Sequence, residues 1–414
     1  MYIVTPEVPA SSVRTMRIHR KHTGPTPWWH DAVICAFPAR MNEDCLNAVG
    51  AYAQPLSELG FHAISFTPAK PDIVWDTDSS LAGCVSAFHQ HNLKALLVLP
   101  GASLPTIDRT FNITEGITTL LTRVRAALTL GIDGIDLGML DMPADVRGDI
   151  SDADADADIL RSRFSDLVQI LLAEIGGDDN SPVLTAASPI NNPDILRRQL
   201  EDDWFHHLRD TALENIPWDS SVLHEVLSKS FDVHDSVGQV NAWSYSALSH
   251  RPHYPTETPK AWEYDASSER RSAMIFFSLS LPGAVYIPWN DVESIFSYTT
   301  HAAKTVPHTA SDDPSFLSRI REALKIRSRY SLGTASFALV SGLPWAHSGV
   351  SVHVVSDVMV VLNTSNETVH VPDCHEFLIS SVGTASLSEN SVAVAPNACA
   401  WFKVARVKPV PSPF

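Results

Sequence analysis

Apolar residues at 44% and charged residues at 19% put these 414 residues in the globular range, long enough for a large core or several domains. They exclude a disordered, collagen-like or coiled-coil chain. Thirty lysines and arginines against 47 aspartates and glutamates give a net charge of −17, which repels phosphate backbones and anionic lipid, so neither nucleic acid nor a membrane surface is expected as a partner. No apolar run reaches transmembrane length, and the N-terminus carries no apolar stretch of the signal-peptide kind, so a cytoplasmic protein is expected. The five cysteines, Cys35, Cys45, Cys84, Cys374 and Cys399, are widely separated, and none forms a Cys-x-x-Cys pair. Neither a structural zinc nor a disulfide framework is signalled, and no metal or other cofactor is expected.

In chain order, residues 1–24 mix basic and small polar residues without periodicity and read as a loose N-terminal arm. Residues 25–333 then alternate short β-branched runs with longer amphipathic stretches. Strands are expected at Ala32–Phe37, His62–Phe66, Ala95–Leu99, Gly134–Leu137, Val183–Ala187, Val240–Tyr245 and Ala284–Ile287. Helices are expected at Asp44–Leu59, Leu81–His91, Thr114–Leu130, Ile159–Ile175, Ser220–Lys229 and Ser267–Leu281. Gly60, Gly131 and Gly283 stand where a helix must stop before the next strand. An eighth strand is expected near Trp204–Leu213. Strand–helix alternation over this length, with strands that do not alternate in polarity, points to a parallel barrel in preference to a doubly wound sheet.

The texture changes after Gly333. Residues 334–414 hold short strand-like runs at Ser336–Val340, Ser351–Val355, Val358–Leu362, Thr368–Val371, Glu376–Ser380 and Ala400–Val404, broken by Gly, Asn, Asp and Pro. This is the pattern of a small all-β domain. The acidic stretch Asp149–Asp158 lacks the Gly and Glu of a calcium loop: Ala157 and Arg163 stand there if the loop starts at Asp152. It reads as a solvated acidic loop leading into a helix N-terminus. His206 and His207 are adjacent, so their side chains diverge and do not suggest a metal site.

Several stretches together carry a resemblance. Pro27-Trp28-Trp29-His30-Asp31-Ala32-Val33-Ile34 and Pro55-Leu56-Ser57-Glu58-Leu59-Gly60-Phe61-His62-Ala63-Ile64-Ser65-Phe66-Thr67-Pro68 look like the opening of bacterial α-glucosidases and oligo-1,6-glucosidases of the α-amylase clan. Gly131-Ile132-Asp133-Gly134-Ile135-Asp136-Leu137 resembles that clan's fourth-strand motif, Gly-Val-Asp-Gly-Phe-Arg-Ile-Asp. Leu281-Pro282-Gly283-Ala284-Val285-Tyr286-Ile287 resembles its eighth-strand region. The resemblance spans about residues 27–405 in order. It implies a (β/α)8 barrel followed by a C-terminal β-sandwich, and a retaining α-glucosidase as the ancestral activity.

A retaining glycosidase needs two carboxyl groups about 5–5.5 Å apart. At the positions the resemblance implies, this chain has lost them. Asp136 replaces the motif's Arg, and Gly138 stands at the nucleophile. Ala186 occupies the general-acid position, and no Asp or Glu lies anywhere in Ser181–Asn192. Leu248 and Ser249 replace the His and the stabilising Asp of the seventh-strand motif. The first motif is matched by Val98–Ala102, ending on Ala102, without its Asp, Asn and His. From Pro100 the chain reaches Asn112 directly, so the clan's inserted B domain is missing, and the loop Pro68–Asp76 lacks the Gly-Tyr-Asp that grips the sugar.

These replacements imply a pseudoenzyme of the clan: a non-catalytic binding or regulatory protein linked to carbohydrate metabolism. Its expected partner is a protein, either an active relative or a second copy, with weak or no carbohydrate binding. The alternative is a hydrolase with relocated acids, for which Asp136, Asp291 and Glu293 are the candidates. A third reading is an ancillary subunit like the amylase-like heavy chains of amino-acid transporters. Trp243 and Trp289 lie near strand ends and are the candidates for stacking on a sugar ring, although core packing is the commoner role of tryptophan.

Overall fold

The computed structural model describes residues 13–68, 79–99, 113–139, 154–176, 182–188, 193–249, 261–264, 266–291, 314–372, 376–383, 387–388 and 391–404. After strand β1 (Arg14–His19), eight parallel strands close into a barrel: β2 (Val33–Met41), β3 (Ala63–Pro68), β4 (Lys94–Val98), β5 (Gly134–Met139), β6 (Val183–Ser188), β7 (His207–Asp210), β8 (Ala242–Ser244) and β9 (Ala284–Pro288). Each pairs with its neighbour in sequence, and β9 returns to β2 with Val33 opposite Val285. The expected eighth strand is β7. Its four residues are too short, and too polar at His207, Arg209 and Asp210, to announce themselves as a buried strand.

Helices follow the strands: α1 (Glu43–Ala51), α2 (Ala53–Leu59), α3 (Ser79–Gln90), α4 (Ile113–Thr129), α5 (Asp154–Ile175), α6 (Pro193–Glu201), α7 (Ser220–Val237), α8 (Ser268–Ser280) and α9 (Pro314–Arg329). The single helix expected over 44–59 is two, broken at Tyr52. Pro55 has no N–H to give to Ala51 and its ring crowds that carbonyl, so the chain starts a new helix instead. The acidic run also differs from expectation. Asp154, Asp156 and Asp158 belong to the first turns of α5 and not to a loop, while residues 149–153 lie outside the described residues. Residues 99–112 alone separate β4 from α4, so no inserted domain stands there.

Alternation along the strands divides the barrel into two layers. Val33, Cys35, Ile64, Leu97, Ile135, Leu137 and Val285 point outward into the core shared with the helices. Inward-facing residues are small: Ala32, Ala36, Ala63, Ala242 and Ala284 join Ile34, Leu96, Val183 and Tyr286, with Trp28 and Trp29 closing the N-terminal end.

The C-terminal module is a β-sandwich. Its larger sheet runs β1-β10-β11-β12-β17-β14, where β10 is Phe337–Ser341, β11 Val350–Val355, β12 Val358–Asn363, β14 Glu376–Ser380 and β17 Ala398–Lys403. The smaller is β13-β16-β15, from Val369–Pro372, Ser391–Val394 and Leu387–Ser388. Val361, Ala400 and Phe402 face the smaller sheet, while Val360, Leu362 and Trp401 face the barrel, where Trp401 meets Phe276 of α8. The arm expected at 1–24 needs correcting. Residues 14–19 are a strand that pairs antiparallel with β10, Thr15 opposite Val340, so the chain begins its described course in the C-terminal sheet. A partner so distant in sequence leaves no local signal.

Gly283, between α8 and β9, has φ of +97°, and a Cβ there would sit 2.2 Å from the Asn241 carbonyl oxygen. Gly283→Ala is expected to lower stability by roughly 2–5 kcal/mol, the sum of a left-handed backbone penalty and a backbone clash. Gly83→Ala, on the exposed side of α3 with open space around it, should instead raise stability by about 0.5–1 kcal/mol. Urea unfolding of the two variants checks both signs.

Candidate functional site

A barrel of this kind carries its chemistry at the C-terminal ends of its strands, and the residues singled out from the sequence sort themselves around that end. Asp136 points into the lumen from β5, opposite Val98 and Thr185. Both its oxygens are engaged. Oδ1 accepts from the backbone N–H of Gly138 at 2.8 Å and from Arg209 Nη2 at 3.0 Å. Oδ2 accepts from Arg209 Nη1 and, at 3.3 Å, from Ser65 Oγ. Arg209 and Asp136 are each 1% exposed, so this is a bidentate ion pair taken fully out of water.

The pair heads a polar column down the lumen. The Arg209 guanidinium lies 4.6 Å from the centre of the Tyr286 ring. Tyr286 and His207 share a 3.0 Å hydrogen bond, and His207 Nε2 lies 2.7 Å from the carbonyl oxygen of Trp29. A carbonyl can only accept, so Nε2 carries the proton and Nδ1 accepts from the Tyr286 hydroxyl. Burial pushes His207 down to about 3, which keeps it neutral as this arrangement requires. Burial also pulls the Arg209 pKa down, but Asp136 and Tyr286 more than offset it, leaving the guanidinium firmly charged. Burial pushes the Tyr286 phenol up to about 12.

Gly138 ends β5 at a register shift, with φ of +69°. A side chain there would find space, with Val98 Cγ1 at 3.9 Å, but not a relaxed backbone. Ala186 needs a correction. It belongs to the outer core layer, whereas Val183 lines the lumen and Thr185 opposes the lumen-facing His207. By the period of two, Ala187 and not Ala186 faces inward at the end of β6, and it is equally without a carboxyl. Leu248, half-buried, lies on the short 3-10 turn Ala247–Ser249, where its N–H donates to Ser246 Oγ. That turn also contains Ser249. Ala102 and Glu293 fall outside the described residues.

The relocated-acid candidates do not share a site. Asp136 is tied to Arg209, while buried Asp291 accepts at 2.8 Å from the hydroxyl of Tyr245, the residue that follows β8 and packs in the outer core. Glu263, buried beside it, accepts from Ser246 Oγ and from Arg271 Nη1 of α8. Burial raises the pKa of both acids, and Arg271 opposes that rise. Of the two stacking candidates, Trp243 needs correcting. Trp243 is 0% exposed, packed edge-on to Phe231, with its indole N–H given to the Pro282 carbonyl, so neither face is open to a ring. Trp289 is half-buried and stacked on Phe37 at 4.2 Å, with Tyr52 at its edge.

Sequence reasoning missed Arg209, Glu263 and Glu214. Glu214 follows β7, is 3% exposed, and accepts from the lumen-facing Ser244 at 2.6 Å. The one available signal was the alternation His207-Leu208-Arg209, which puts two polar side chains on one strand face. His206 and His207 do diverge. The first accepts the Leu184 N–H at its Nδ1, and the second enters the lumen. Among the described residues no group of three or more His, Cys, Asp or Glu is placed to hold a metal. No described helix is long and apolar enough to cross a membrane.

Removing Arg209 alone strands a buried carboxylate. Arg209→Met is expected to cost about 3–5 kcal/mol, and the double change Asp136→Leu with Arg209→Met much less, because replacing both members of a buried pair removes both desolvation costs. A double-mutant cycle by denaturant unfolding measures the difference.

Solved structures similar to this one are enzymes that share its architecture. The trehalulose synthase MutB from Pseudomonas mesoacidophila MX-45 superposes with a TM-score of 0.62 at 13% identity, over 92% of this chain and 100% of that one. An enzyme of family GH13_31 gives 0.58 at 10% identity over 92% and 100%. CldA, a cyclomaltodextrin glucanotransferase with a three-domain ABC distribution, gives 0.56 at 11% identity over 91% and 100%. The likeness is one of fold. No protein-family model matches the sequence, and no curated protein matches it.

Proposed function

We propose that this chain is a catalytically silent member of the α-amylase clan, retained as a binding or regulatory protein in carbohydrate metabolism. The reading is carried by one observation: the acid facing the lumen at the fourth barrel strand, Asp136, spends both oxygens on four donors, two of them from Arg209. A carboxylate held this way has no lone pair free to attack an anomeric carbon and no proton to give. The position two residues on, where the clan's nucleophile would stand, is a glycine in a left-handed conformation. The shared fold of the sugar-processing enzymes supports the clan, and the missing carboxyls support the loss of its chemistry.

A protein partner, either an active relative or a second copy, suits this scaffold better than a sugar. A protein needs only a surface, whereas selective sugar binding needs several directed hydrogen bonds from the positions now held by Gly138, Leu248, Ala102 and Ala187. The cytoplasmic placement is supported by free thiols at Cys35, Cys45, Cys84 and Cys399, three of them buried.

The protein is expected to leave maltose, isomaltose and nitrophenyl α-glucosides unhydrolysed above a buffer blank. The triple change Gly138→Asp, Ala187→Glu and Ser249→Asp should stay inactive too. It returns acids to a strand end whose backbone disfavours a side chain, in a site lacking the positioning that is worth about 7–11 kcal/mol of barrier. Turnover by the natural sequence that disappears in Asp136→Asn would reverse the proposal.

Sugar binding is tested separately by melting. A ligand at ~10 mM with a Kd of about 1 mM would add roughly 1.4 kcal/mol, about 1–3 °C for a chain of this size. We expect no shift with maltooligosaccharides. A shift with one oligosaccharide and not its isomers would make the sugar the ligand.

A further inference from the structure

A cavity of about 1080 Å³ opens at the opposite, N-terminal face of the barrel. One wall is the segment that leads from β1 to β2. The others are the C-terminal end of α7 and the approaches to β7 and β8.

The charges on its walls are not balanced pair by pair. Each lining carboxylate has a partner. Asp203 accepts from the Gln239 amide at 2.5 Å, Asp235 from His19 Nδ1 at 2.7 Å, and Asp232 lies 3.5 Å from Arg197. The cations differ. Arg20 and Lys21 are exposed on the first wall and have no ion pair or hydrogen bond among the described residues. Both line the cavity in a chain whose net charge is −17.

Imidazoles extend the basic wall inward. His206 accepts the Leu184 N–H at Nδ1, which fixes the proton of the neutral ring on Nε2 and leaves that N–H as a donor. The His22 ring packs 4.1 Å from that of His30, and its Nε2–H donates to the Pro25 carbonyl. His30 is 6% exposed, and its Nδ1 has no hydrogen-bond partner. Burial, then the neighbouring His22, push its pKa down to about 4, with Asp31 opposing and His19 adding to the fall. His206 is lowered by burial against Asp203 and its backbone bond. The cavity thus presents two full charges and one fixed donor.

We propose that this cavity binds a small molecule carrying a phosphate, sulfate or carboxylate group, held by Arg20, Lys21 and the Nε2–H of His206. Its volume is that of a metabolite site, not of a bare ion, and the half-buried Trp29 supplies an apolar wall for the rest of the molecule.

Sulfate, which does not titrate between pH 6 and 8, is the probe. Histidine ring signals are followed by NMR during a sulfate titration at constant ionic strength. Saturable shifts of His22 and His206 are expected, with exposed His370 on β13 unmoved. Arg20→Ser with Lys21→Ser, both exposed and so compatible with folding, should weaken binding fivefold or more. Shifts that grow linearly, that include His370, or that persist in the double variant would overturn the site. So would saturation by choline or maltose in place of sulfate.

Discussion

The lumen of a closed eight-stranded barrel must be filled, and in this protein a buried ion pair fills much of it. Taking a guanidinium and a carboxylate out of water costs several kcal/mol per ion, a cost that only close geometry and complete hydrogen bonding offset. The geometry is close and the carboxylate is fully bonded, while Arg209 Nε is buried with no hydrogen-bond partner among the described residues. Asp136 receives four donors, and Arg209 has the Tyr286 ring beneath it. Space comes from the alanines that line the inner wall, since bulkier residues on those strands would exclude an arginine lying across the barrel. Below the pair, Tyr286 and His207 carry the hydrogen bonding on to the Trp29 carbonyl, so the column meets the barrel floor without an unsatisfied step.

That column also determines what the C-terminal end of the barrel can do. A carboxylate that neutralises a buried arginine is costly to protonate or to move, because either exposes the arginine's charge. The kink at Gly138 belongs to the same arrangement: its N–H turns back onto Asp136, and the left-handed backbone that allows this disfavours any larger residue. The ion pair and the left-handed glycine are therefore parts of one arrangement. The acids remaining near that end, Glu214, Glu263 and Asp291, are each bound to neighbouring hydroxyls, and Glu263 also to a guanidinium.

The C-terminal sandwich is fastened to the barrel by more than α8. Strand β1 lies at the edge of its larger sheet, and the chain from there passes under the barrel floor to enter β2. His19 bonds Asp235 of α7 on the way, and the His22 N–H reaches the Thr334 carbonyl. The segment therefore closes one side of the N-terminal cavity, and its basic residues are held there by strand pairing.

Much of this was written in the sequence by itself. Seven of the eight barrel strands, the order of the helices and the change to an all-β module follow from periodicity and helix stops, which are local properties. Gly138 at the end of the fourth barrel strand follows directly on the run Gly131–Leu137, so a residue without a side chain at that strand end was legible without coordinates. What stayed hidden depended on contacts between distant residues. The β1–β10 pairing joins segments far apart in the sequence; the Asp136–Arg209 bond links β5 to a strand too short and polar to be bounded from the sequence; and the outward turn of Ala186 is set by a pleat whose phase needs its neighbours. Trp243 has the same composition signal whether it faces a ligand or a helix, and only packing against Phe231 decided between them. Local propensity is encoded residue by residue, whereas a buried charge finds its partner only when the barrel closes.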